Sequence, residues 1–340
     1  MKVISSQWSV VRSVVSKNGF CFVLCALVFA LCAPVQAQQP KKMPQLGFLT
    51  LAAKRSPGEE AFLQGLREIG YIDGQTMTLV YRRASGKVEH LSAMATELVR
   101  LKVDLIVVSS TPAVEAAKNA TATIPIVMMG AADPVRSGFI ASLARPGGNI
   151  TGMSNIMPEL AGKRLELLNE IVPKLARVAF LAYGGDSAHK LFIDEAREAA
   201  ERFGMKFQPL VIAAPEELEG AFAAMNKERT GALIVQPLFV RTLGQGQRIA
   251  ELAVRSRLPT ISDGLGFPEA GGLMFYGADL LPQYRSAAQY VDKILKGAKP
   301  SDLPVQQPTK FELVINLKTP KQIGVTIPNA VLARTDRVIK

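Results

Sequence analysis

The sequence predicts an α/β protein made of two doubly wound parallel-sheet lobes, and three observations support this fold class. Apolar runs of four to six residues alternate with amphipathic helical segments from residue 45 onward. Such runs are typical of parallel strands that helices cover on both faces. The alternation occurs twice in series, with the turn Pro146-Gly147-Gly148-Asn149 between the two units. The roughly 300 residues from residue 45 to the end of the chain are also about the length expected of two domains.

The first unit begins with a buried strand over residues 45–51 and a helix that ends near residue 69. Ser56-Pro57-Gly58-Glu59 has the form of a capping box with proline at the first helical position. Gly70 suits the left-handed cap that ends a helix. The other elements predicted in this unit are strand 76–82, helix 88–101, strand 104–109, helix 112–120, strand 124–129, helix 139–143 and strand 150–153.

The second unit repeats the alternation of helix and strand. Its predicted elements are helix 158–171, strand 177–182, helix 187–203, strand 206–211, helix 215–227, strand 232–236, helix 243–256 and strand 259–262. The rest of the chain contains a strand over 271–276, a helix over 281–295 and an extended apolar stretch over 304–317. These segments are too few for a third domain. We therefore expect them to complete the two lobes, which requires the chain to cross between the lobes more than once.

Residues 1–37 are predicted to be a cleaved secretory signal peptide that directs the protein to the periplasm. Three basic residues and no acidic residue precede an apolar run over residues 20–33. That run is shorter than the roughly 20 residues needed to span a bilayer. It ends near Val35 and Ala37, which fit the small-residue rule for cleavage. The basic residues are Lys2, Arg12 and Lys17.

All three cysteines and the only tryptophan lie inside this leader, at Cys21, Cys25, Cys32 and Trp8. A lipid anchor at a cysteine is the alternative to cleavage, but Leu24 and Leu31 stand where a lipoprotein signal has a small residue. Without the leader, the chain would have no disulfide, no thiol nucleophile and no thiolate metal site.

The charge pattern does not favour nucleic-acid binding. The chain carries a net charge of +11, which becomes +8 without the three basic residues of the leader. The basic residues are scattered among the helices, and neither a basic face nor a recognition module is present. No second long apolar run follows the leader, so no transmembrane helix is predicted.

The motifs for catalysis, metals and nucleotides are also weak. Gly185-Asp186-Ser187-Ala188-His189 partly matches the nucleophile elbow of hydrolases, but His189 replaces the second glycine. A hydrolase is therefore only a distant alternative, and Ser187 is better explained as a helix-start residue. Neither His90 nor His189 has the helical partner of a zinc site, and no glycine-rich phosphate loop follows the first strand. We predict no catalytic residue, no metal and no cofactor.

Five segments resemble one family of proteins. They are Asp133-Pro134-Val135, Ala144-Arg145-Pro146-Gly147-Gly148-Asn149-Ile150-Thr151-Gly152, Lys163-Arg164-Leu165-Glu166-Leu167-Leu168, Gly271-Gly272-Leu273-Met274-Phe275-Tyr276-Gly277 and the segment from Leu303 to Asn316. Together they resemble the bacterial ABC transporter substrate-binding proteins, whose better-understood members bind tryptophan or related aromatic amino acids. The match covers nearly all of the chain after the leader, in the same order.

The resemblance implies a type I periplasmic-binding (Venus flytrap) fold, in which a ligand is enclosed between two lobes joined by three crossing segments. The first lobe would contain residues 44–152 and 272–300, and the second would contain residues 153–271 and 303–340. The crossings are expected near Gly152, near Gly271 and between residues 299 and 303.

The implied function is a monomeric solute carrier of the periplasm, not an enzyme. It would capture a small solute by lobe closure and deliver it to the permease and ATPase of an ABC importer. An amino acid, with aromatic ones leading, is the expected ligand. The same fold could instead serve a sensor that presents its ligand to a membrane receptor.

Candidate ligand contacts follow from the rule that ligands bind outside the carboxyl ends of strands in open α/β sheets. In the first lobe these positions are Leu51, Ala52, Ser109, Ser110, Thr111, Ala132 and Asp133, and in the second they are Tyr183, Gln236 and Asp263. Tyr276, at the presumed crossing, could stack on an aromatic ligand. Ser109 to Thr111, at the start of a helix, would hold a carboxylate through hydroxyl and N–H groups.

Three of these residues also have a purely structural explanation. Thr111 and Asp133 could be helix caps, and Tyr276 could be a buried strand residue instead of a stacking partner. Asp133 or Asp263 would bind the ligand ammonium, and Gln236 would supply an amide contact.

Overall fold

Two β-sheets organise the computed structural model, which describes residues 43–155 and 160–340. One sheet has five strands and the other has seven, and most neighbouring strands are parallel. This confirms the predicted α/β class with two parallel-sheet lobes. The predicted signal peptide, and the predicted start of a helix at residue 158, lie outside the described residues.

The five-stranded sheet forms the first lobe, in the order β2-β1-β3-β4-β5. Its elements are β1 (Gln45–Thr50), α1 (Pro57–Glu68), β2 (Thr78–Arg83), α2 (Leu91–Arg100), β3 (Leu105–Val108), α3 (Thr111–Ala120), β4 (Ile126–Ala132) and β5 (Ile150–Asn155). β3 is a fully buried apolar run, as a parallel strand covered by helices should be, and β4 is buried except for one half-buried residue. β5 is fully buried although it also carries polar side chains.

The seven-stranded sheet forms the second lobe, in the order β12-β11-β10-β9-β8-β6-β7. Its elements are α4 (Ala161–Ile171), β6 (Arg177–Tyr183), α5 (His189–Arg202), β7 (Lys206–Ile212), α6 (Leu218–Lys227), β8 (Ala232–Val235), α7 (Pro237–Arg241), α8 (Gly246–Arg255), β9 (Thr260–Ser262), β10 (Met274–Ala278), β11 (Phe311–Asn316), α10 (Thr319–Ile323), α11 (Asn329–Leu332) and β12 (Arg337–Ile339). Helix α9 (Leu281–Leu295) returns to the first lobe and packs against α1 and β4.

The chain crosses between the lobes later than expected at each of three places. β5 continues to Asn155 in the first sheet, so the first crossing follows that residue and not Gly152. β10 pairs with β9 and β11 in the second sheet, so the second crossing lies between Ala278 and Leu281. Gln306 still pairs with Met153 of the first lobe, which moves the third crossing beyond residues 299–303. The positions of the three crossings depend on which strands pair with each other, and the glycine and proline residues near the expected crossings were not enough to predict them.

The segment between β4 and β5 is not helical over residues 139–143, contrary to the sequence prediction. Its backbone N–H groups bind across the loop: Phe139 donates to the carbonyl of Pro134, and Ala141 donates to that of Pro146. Gly138 adopts a positive φ of 69°, which interrupts helical geometry.

Gly152 shows why the segment that ends in Asn-Ile-Thr-Gly has glycine at its last position. Its φ is 124°, and a Cβ atom there would lie 2.2 Å from the carbonyl oxygen of Met128 on the neighbouring strand. No L-side chain fits this close approach between β4 and β5.

The start of α1 agrees with half of the predicted capping box. The Ser56 hydroxyl accepts a hydrogen bond from the Glu59 N–H at 3.2 Å. The Glu59 carboxylate, however, forms ion pairs with Arg83 and Arg55, and the return bond of a capping box is not among its contacts in the described residues.

Replacing the cap is expected to destabilise the protein modestly. Ser56→Ala removes the side-chain acceptor at the helix start and should lower the free energy of unfolding by about 1 kcal/mol. Ser56→Asp keeps an acceptor and should recover most of that loss. Urea denaturation of the two variants tests this, and an unchanged Ser56→Ala midpoint would contradict the role of the cap.

Buried side chains run continuously from one lobe to the other. One apolar cluster contains Leu51 and Val114 of the first lobe together with Leu238 and Phe239 of the second. The two lobes are therefore in contact along the cleft between them. Within the described ranges, no helix is long and apolar enough to cross a membrane.

Candidate functional site

A cavity of about 530 Å³ lies between the lobes, at the carboxyl ends of the strands. The first lobe lines it with Thr50, Ser109 and Tyr284, and the second lobe lines it with Arg241 and Asp263. This volume is within the usual range for small-molecule sites, about 300–1,000 Å³. The position is the one that the strand-end rule predicts.

Much of the cavity wall is apolar. Met129 comes from the first lobe, and Val240, Leu265 and Leu280 come from the second lobe and the segment that leaves it. The aromatic ring of Tyr284 adds a further apolar surface. A flat or bulky apolar group would lose its water shell here, which favours binding by roughly 25 cal/mol for each Å² buried.

A small polar chamber of about 20 Å³ adjoins the main cavity and shares Ser109, Arg241 and Thr242 with it. Ser110, Asn155 and Asp186 form its other polar walls. A chamber of this size holds about one water molecule or one small polar group.

Besides Asp263 Oδ2, three buried polar atoms around these cavities have no hydrogen-bond partner within the part of the chain that the structure describes. They are Ser110 Oγ, Asn155 Oδ1 and Arg241 Nε. Ser110 and Asn155 are only 4% and 3% exposed, so bulk water does not satisfy them. A buried donor or acceptor left without a partner costs about 1–3 kcal/mol. These atoms therefore favour a polar group that enters the chamber.

The N-terminus of α3 also faces this chamber. Ser110 occupies the N-cap position with extended backbone, but its side chain makes no capping bond. The first N–H groups of a helix lack partners in the helix itself and favour negative charge. Ser110 Oγ and these N–H groups together can accommodate a carboxylate.

Asp186 is the buried acid of the chamber. Gln236 Nε2 donates to Asp186 Oδ2 at 2.7 Å, and the Ala188 N–H donates to Asp186 Oδ1 at 3.1 Å. Burial raises the pKa of Asp186 from 3.8 to about 6, although the Ala188 N–H and the charge of His189 and Arg241 oppose the rise. Each carboxylate oxygen can still accept another hydrogen bond.

Asp263 lines the main cavity but already has a partner. Its Oδ2 lies 3.0 Å from Arg164 Nη2, and both side chains are 1% exposed. The contact is an ion pair whose alignment is too poor for a hydrogen bond. Burial raises the pKa of Asp263, and Arg164 is the largest influence that opposes this rise. Arg164 Nε also donates to the Tyr276 carbonyl at 3.1 Å.

Six of the predicted contact residues line one of the two cavities. They are Ala52, Ser109, Ser110, Thr111, Ala132 and Asp263. The Thr111 hydroxyl also accepts from the Ala132 N–H at 3.2 Å, so it ties β4 to α3. The Ser109 hydroxyl donates to Thr50 Oγ1 at 2.8 Å, and Thr50 lines the main cavity as well.

The other five predicted residues line neither cavity. Leu51 is fully buried in the core, and Tyr276 packs against the core of the second lobe. Tyr183 is buried edge-to-face against Phe239, with ring centroids 6.0 Å apart. The geometry therefore does not support direct ligand contacts for these three.

Asp133 and Gln236 have structural partners instead. Asp133 Oδ1 accepts from the Arg136 N–H at 3.0 Å, so its side chain closes a turn and no helix follows. Gln236 is 0% exposed and connects β8 to β6 because its Oε1 accepts from the Tyr183 N–H at 2.7 Å. Gln236 thus holds Asp186 in the chamber without reaching a ligand.

Four residues that line the cavities were not predicted from the sequence, namely Arg241, Asn155, Asp186 and Tyr284. Asp186 follows the strand that ends at Tyr183, so the strand-end rule could have included it. Arg241 ends a five-residue helix that is too short for a periodic pattern. Asn155 lies beyond the predicted end of its strand. Tyr284 lies on helix α9, which follows the strands of the second lobe in sequence but packs on the first lobe.

No cluster of three or more acidic, histidine or cysteine side chains that could hold a metal ion occurs over residues 43–155 and 160–340. His189 lies at the start of α5, where its Nδ1 is 2.7 Å from the Asp186 carbonyl oxygen.

A family model described as ABC transporter substrate binding protein matches residues 55–339. The chain belongs to this family. This agrees with the family resemblance found in the sequence, and the family is one of binding proteins. The absence of enzymatic activity and of a cofactor stays a prediction.

Several known proteins are similar to this chain over most of its length. A tyrosine-binding protein from Clostridioides difficile (strain R20291) is 27% identical over 291 residues, which cover 84% of this chain and 82% of that protein. The structure of an ABC domain in complex with L-Trp from Streptococcus pneumonia is 26% identical, with a TM-score of 0.80, and covers 87% of this chain and 99% of that one.

A conserved domain protein from Vibrio cholerae is equally similar in structure. It is 26% identical, has a TM-score of 0.80, and covers 87% of this chain and 100% of that chain. These structures identify the fold as the type I periplasmic-binding fold that the family resemblance implied.

Proposed function

We propose that this protein is the periplasmic solute-binding component of an ABC importer and captures an aromatic α-amino acid between its lobes. The observation that carries the proposal is the set of three partnerless buried polar atoms, Ser110 Oγ, Asn155 Oδ1 and Arg241 Nε, beside an apolar cavity of about 530 Å³. An amino acid with an aromatic side chain provides the charged end and the apolar end that this arrangement requires.

The ligand carboxylate binds to Arg241 Nε, Ser110 Oγ and the N-terminus of α3. Arg241 supplies a positive charge with an unused N–H donor, and the helix start supplies further donors. Charge-assisted hydrogen bonds of this kind are about twice as strong as neutral ones. This role agrees with the sequence prediction for Ser109 to Thr111 and adds the arginine.

The ligand ammonium binds to Asp186 and to Asn155 Oδ1. Both are acceptors at the wall of the small chamber, and Asn155 Oδ1 has no other partner among the described residues. This assignment replaces the predicted Asp133 and Asp263. Asp133 lies outside both cavities, and the charge of Asp263 is already balanced by Arg164.

The aromatic side chain occupies the main cavity, against Met129, Val240, Leu265 and Tyr284. Two relatives of this chain support this class of ligand, since one is named a tyrosine-binding protein and the other was solved with L-Trp. Because the contacts come from both lobes, a bound ligand favours the closed state over the open one. Membership of the ABC transporter substrate-binding family supports delivery of the ligand, from the periplasmic side of the membrane, to a permease that an ATPase drives.

A binding screen of the protein without its predicted leader tests the proposal. L-tryptophan, L-tyrosine and L-phenylalanine should each raise the melting temperature, and the ligand at about 100 times its dissociation constant adds about 2.7 kcal/mol of stability. Tryptamine, which lacks the carboxylate, and indole-3-propionate, which lacks the ammonium, are the matched controls. Both should bind at least about tenfold more weakly.

The screen also shows how the proposal would fail. If tryptamine binds as tightly as L-tryptophan, recognition of the carboxylate is excluded. If indole-3-propionate binds as tightly, recognition of the ammonium is excluded. No response to any aromatic amino acid would exclude this ligand class while leaving the fold unaffected.

A further inference from the structure

Tyr284 lines the cavity and packs against the apolar core of each lobe. It lies in the first turn of α9, directly after the second crossing between the lobes. The helix belongs to the first lobe, where it packs on α1. The contacts of a residue in this position therefore change when the two lobes move relative to each other.

One edge of the Tyr284 ring lies against the backbone of α1 at Gly58. A Cβ atom at Gly58 would be 2.3 Å from Tyr284 Cδ2 and 2.4 Å from Tyr284 Cε2. Any other residue at position 58 would therefore push the ring away. Glycine is an otherwise unfavourable helix residue, by up to about 1 kcal/mol relative to alanine. Its presence in the helix is explained by the seat that it provides for the ring.

The hydroxyl of Tyr284 holds the arginine of the opposite lobe. Arg241 Nη1 donates to Tyr284 Oη at 3.1 Å. The guanidinium group is also attracted by the carboxylates of Asp186 and Asp263, whose pKa values it acts to lower. Without the hydroxyl, Arg241 would lose this hydrogen bond to the first lobe, and the attraction of the two acids would turn the guanidinium toward them. Arg241 Nε would then no longer point at the ligand carboxylate.

We propose that Tyr284 is a positioning residue that sets Arg241 for the ligand carboxylate only when the lobes are closed. This inference rests on the proposed function and adds the coupling between closure and recognition. The hydroxyl and the arginine come from different lobes, so separation of the lobes breaks their bond. Closure thus assembles the carboxylate site, and the site is incomplete in the open state.

A double-mutant cycle with L-tryptophan as the probe tests this role, since coupled residues give non-additive effects. Tyr284→Phe removes only the hydroxyl and should weaken L-tryptophan binding about tenfold, the size expected for a hydrogen bond to a charged group. In an Arg241→Gln background, the same Tyr284→Phe change should alter affinity by less than about twofold. Titration calorimetry measures the four dissociation constants.

Tyr290→Phe is the matched control on the same helix. The Tyr290 hydroxyl donates to the Pro304 carbonyl at 2.5 Å and lines neither cavity, so its loss should change stability but leave affinity within about twofold. Gly58→Ala is a second route, because it keeps the hydroxyl and displaces the ring. It should also weaken binding severalfold in the Arg241 protein and have little effect in Arg241→Gln.

The possible results separate cleanly. An equal loss from Tyr284→Phe in both backgrounds, or no loss in the Arg241 protein, would overturn the positioning role while the proposed function stands. If the unaltered protein binds neither L-tryptophan nor L-tyrosine, the proposed function fails and the role of Tyr284 fails with it. Melting curves of each variant establish that a weakened variant is folded.

Discussion

Arg164→Met is expected to lower the free energy of unfolding by about 3–5 kcal/mol, because it leaves a buried carboxylate without its partner. The side chains of Arg164 and Asp263 are both 1% exposed, and Arg164 Nη2 lies 3.0 Å from Asp263 Oδ2. Asp263 lines the main cavity. Methionine fills similar space but carries no charge. Urea denaturation at pH 7, with the fit giving both midpoint and slope, measures the loss.

The double variant Arg164→Met with Asp263→Leu is the control for this result. It removes both charges, and well-packed apolar replacements of buried ion pairs are often neutral or stabilising. We therefore expect it to recover most of the stability that the single variant loses. A loss of the same size in both variants would mean that arginine packing, and not the ion pair, stabilises this region.

The pH dependence of the single variant gives an independent check. Burial raises the pKa of Asp263, and Arg164 opposes that rise. Without Arg164, the native state should hold a proton on Asp263 to higher pH than the unfolded chain does. Stability of Arg164→Met should then fall as pH rises above the unfolded pKa of Asp, about 3.9. A loss that is the same at pH 4.5 and pH 7 would contradict this reasoning.

The alternation of apolar runs and helical segments was enough to predict most of the fold. The helix at Leu281–Leu295 has the bounds that its periodicity predicted, and β1 and α3 differ from the prediction by one residue at an end. Pairing of short strands was not predictable in the same way. β10 has five residues, and nothing within them specifies whether they join the first or the second sheet.

The candidate site was predictable only where it forms at a single strand end, which includes Asp263 of the second lobe but neither Asn155 nor Tyr284 of the first. Ser109, Ser110 and Thr111 follow a buried strand and begin a helix, so local rules are enough to place them at the cavity. Which acid faces a ligand depends instead on contacts between distant residues. Arg164 belongs to α4, which the sequence predicts only as a helix. Its ion pair with Asp263 forms because α4 packs beside the end of β9, and the sequence does not show that contact.

Asp186→Asn is expected to weaken binding of L-tryptophan at pH 7 by about a hundredfold, since loss of a buried partner for a charged group costs about 2–5 kcal/mol. Asp186 lies in the small chamber and is 3% exposed. Asparagine keeps the size of the side chain but loses the charge that the ammonium needs. Asp133→Asn is the matched control, because Asp133 lines neither cavity, and its affinity should stay within about twofold of the unaltered protein.

The same residue gives a pH dependence whose sign can be stated in advance. Burial raises the pKa of Asp186 to about 6. Below that pH the carboxyl is neutral and no longer attracts the ammonium, so affinity at pH 5 should be about tenfold lower than at pH 7. Stability of the ligand-free protein should change in the opposite direction and fall as pH rises from about 4 to 6, because the folded state then binds the proton more tightly than the unfolded chain.

Three charged neighbours act on the Asp186 carboxylate. The Asp186→Asn variant separates any pH dependence that comes from these neighbours from the pH dependence that comes from Asp186. His189 and Arg241 favour its ionised form, and Glu115 on α3 disfavours it. These groups remain in Asp186→Asn, so a pH dependence that came from His189 or Glu115 would persist in that variant. We expect the affinity of Asp186→Asn to be flat between pH 5 and 7. A slope that survives the substitution would remove Asp186 from the ammonium site, because the titrating group would then be one of its neighbours.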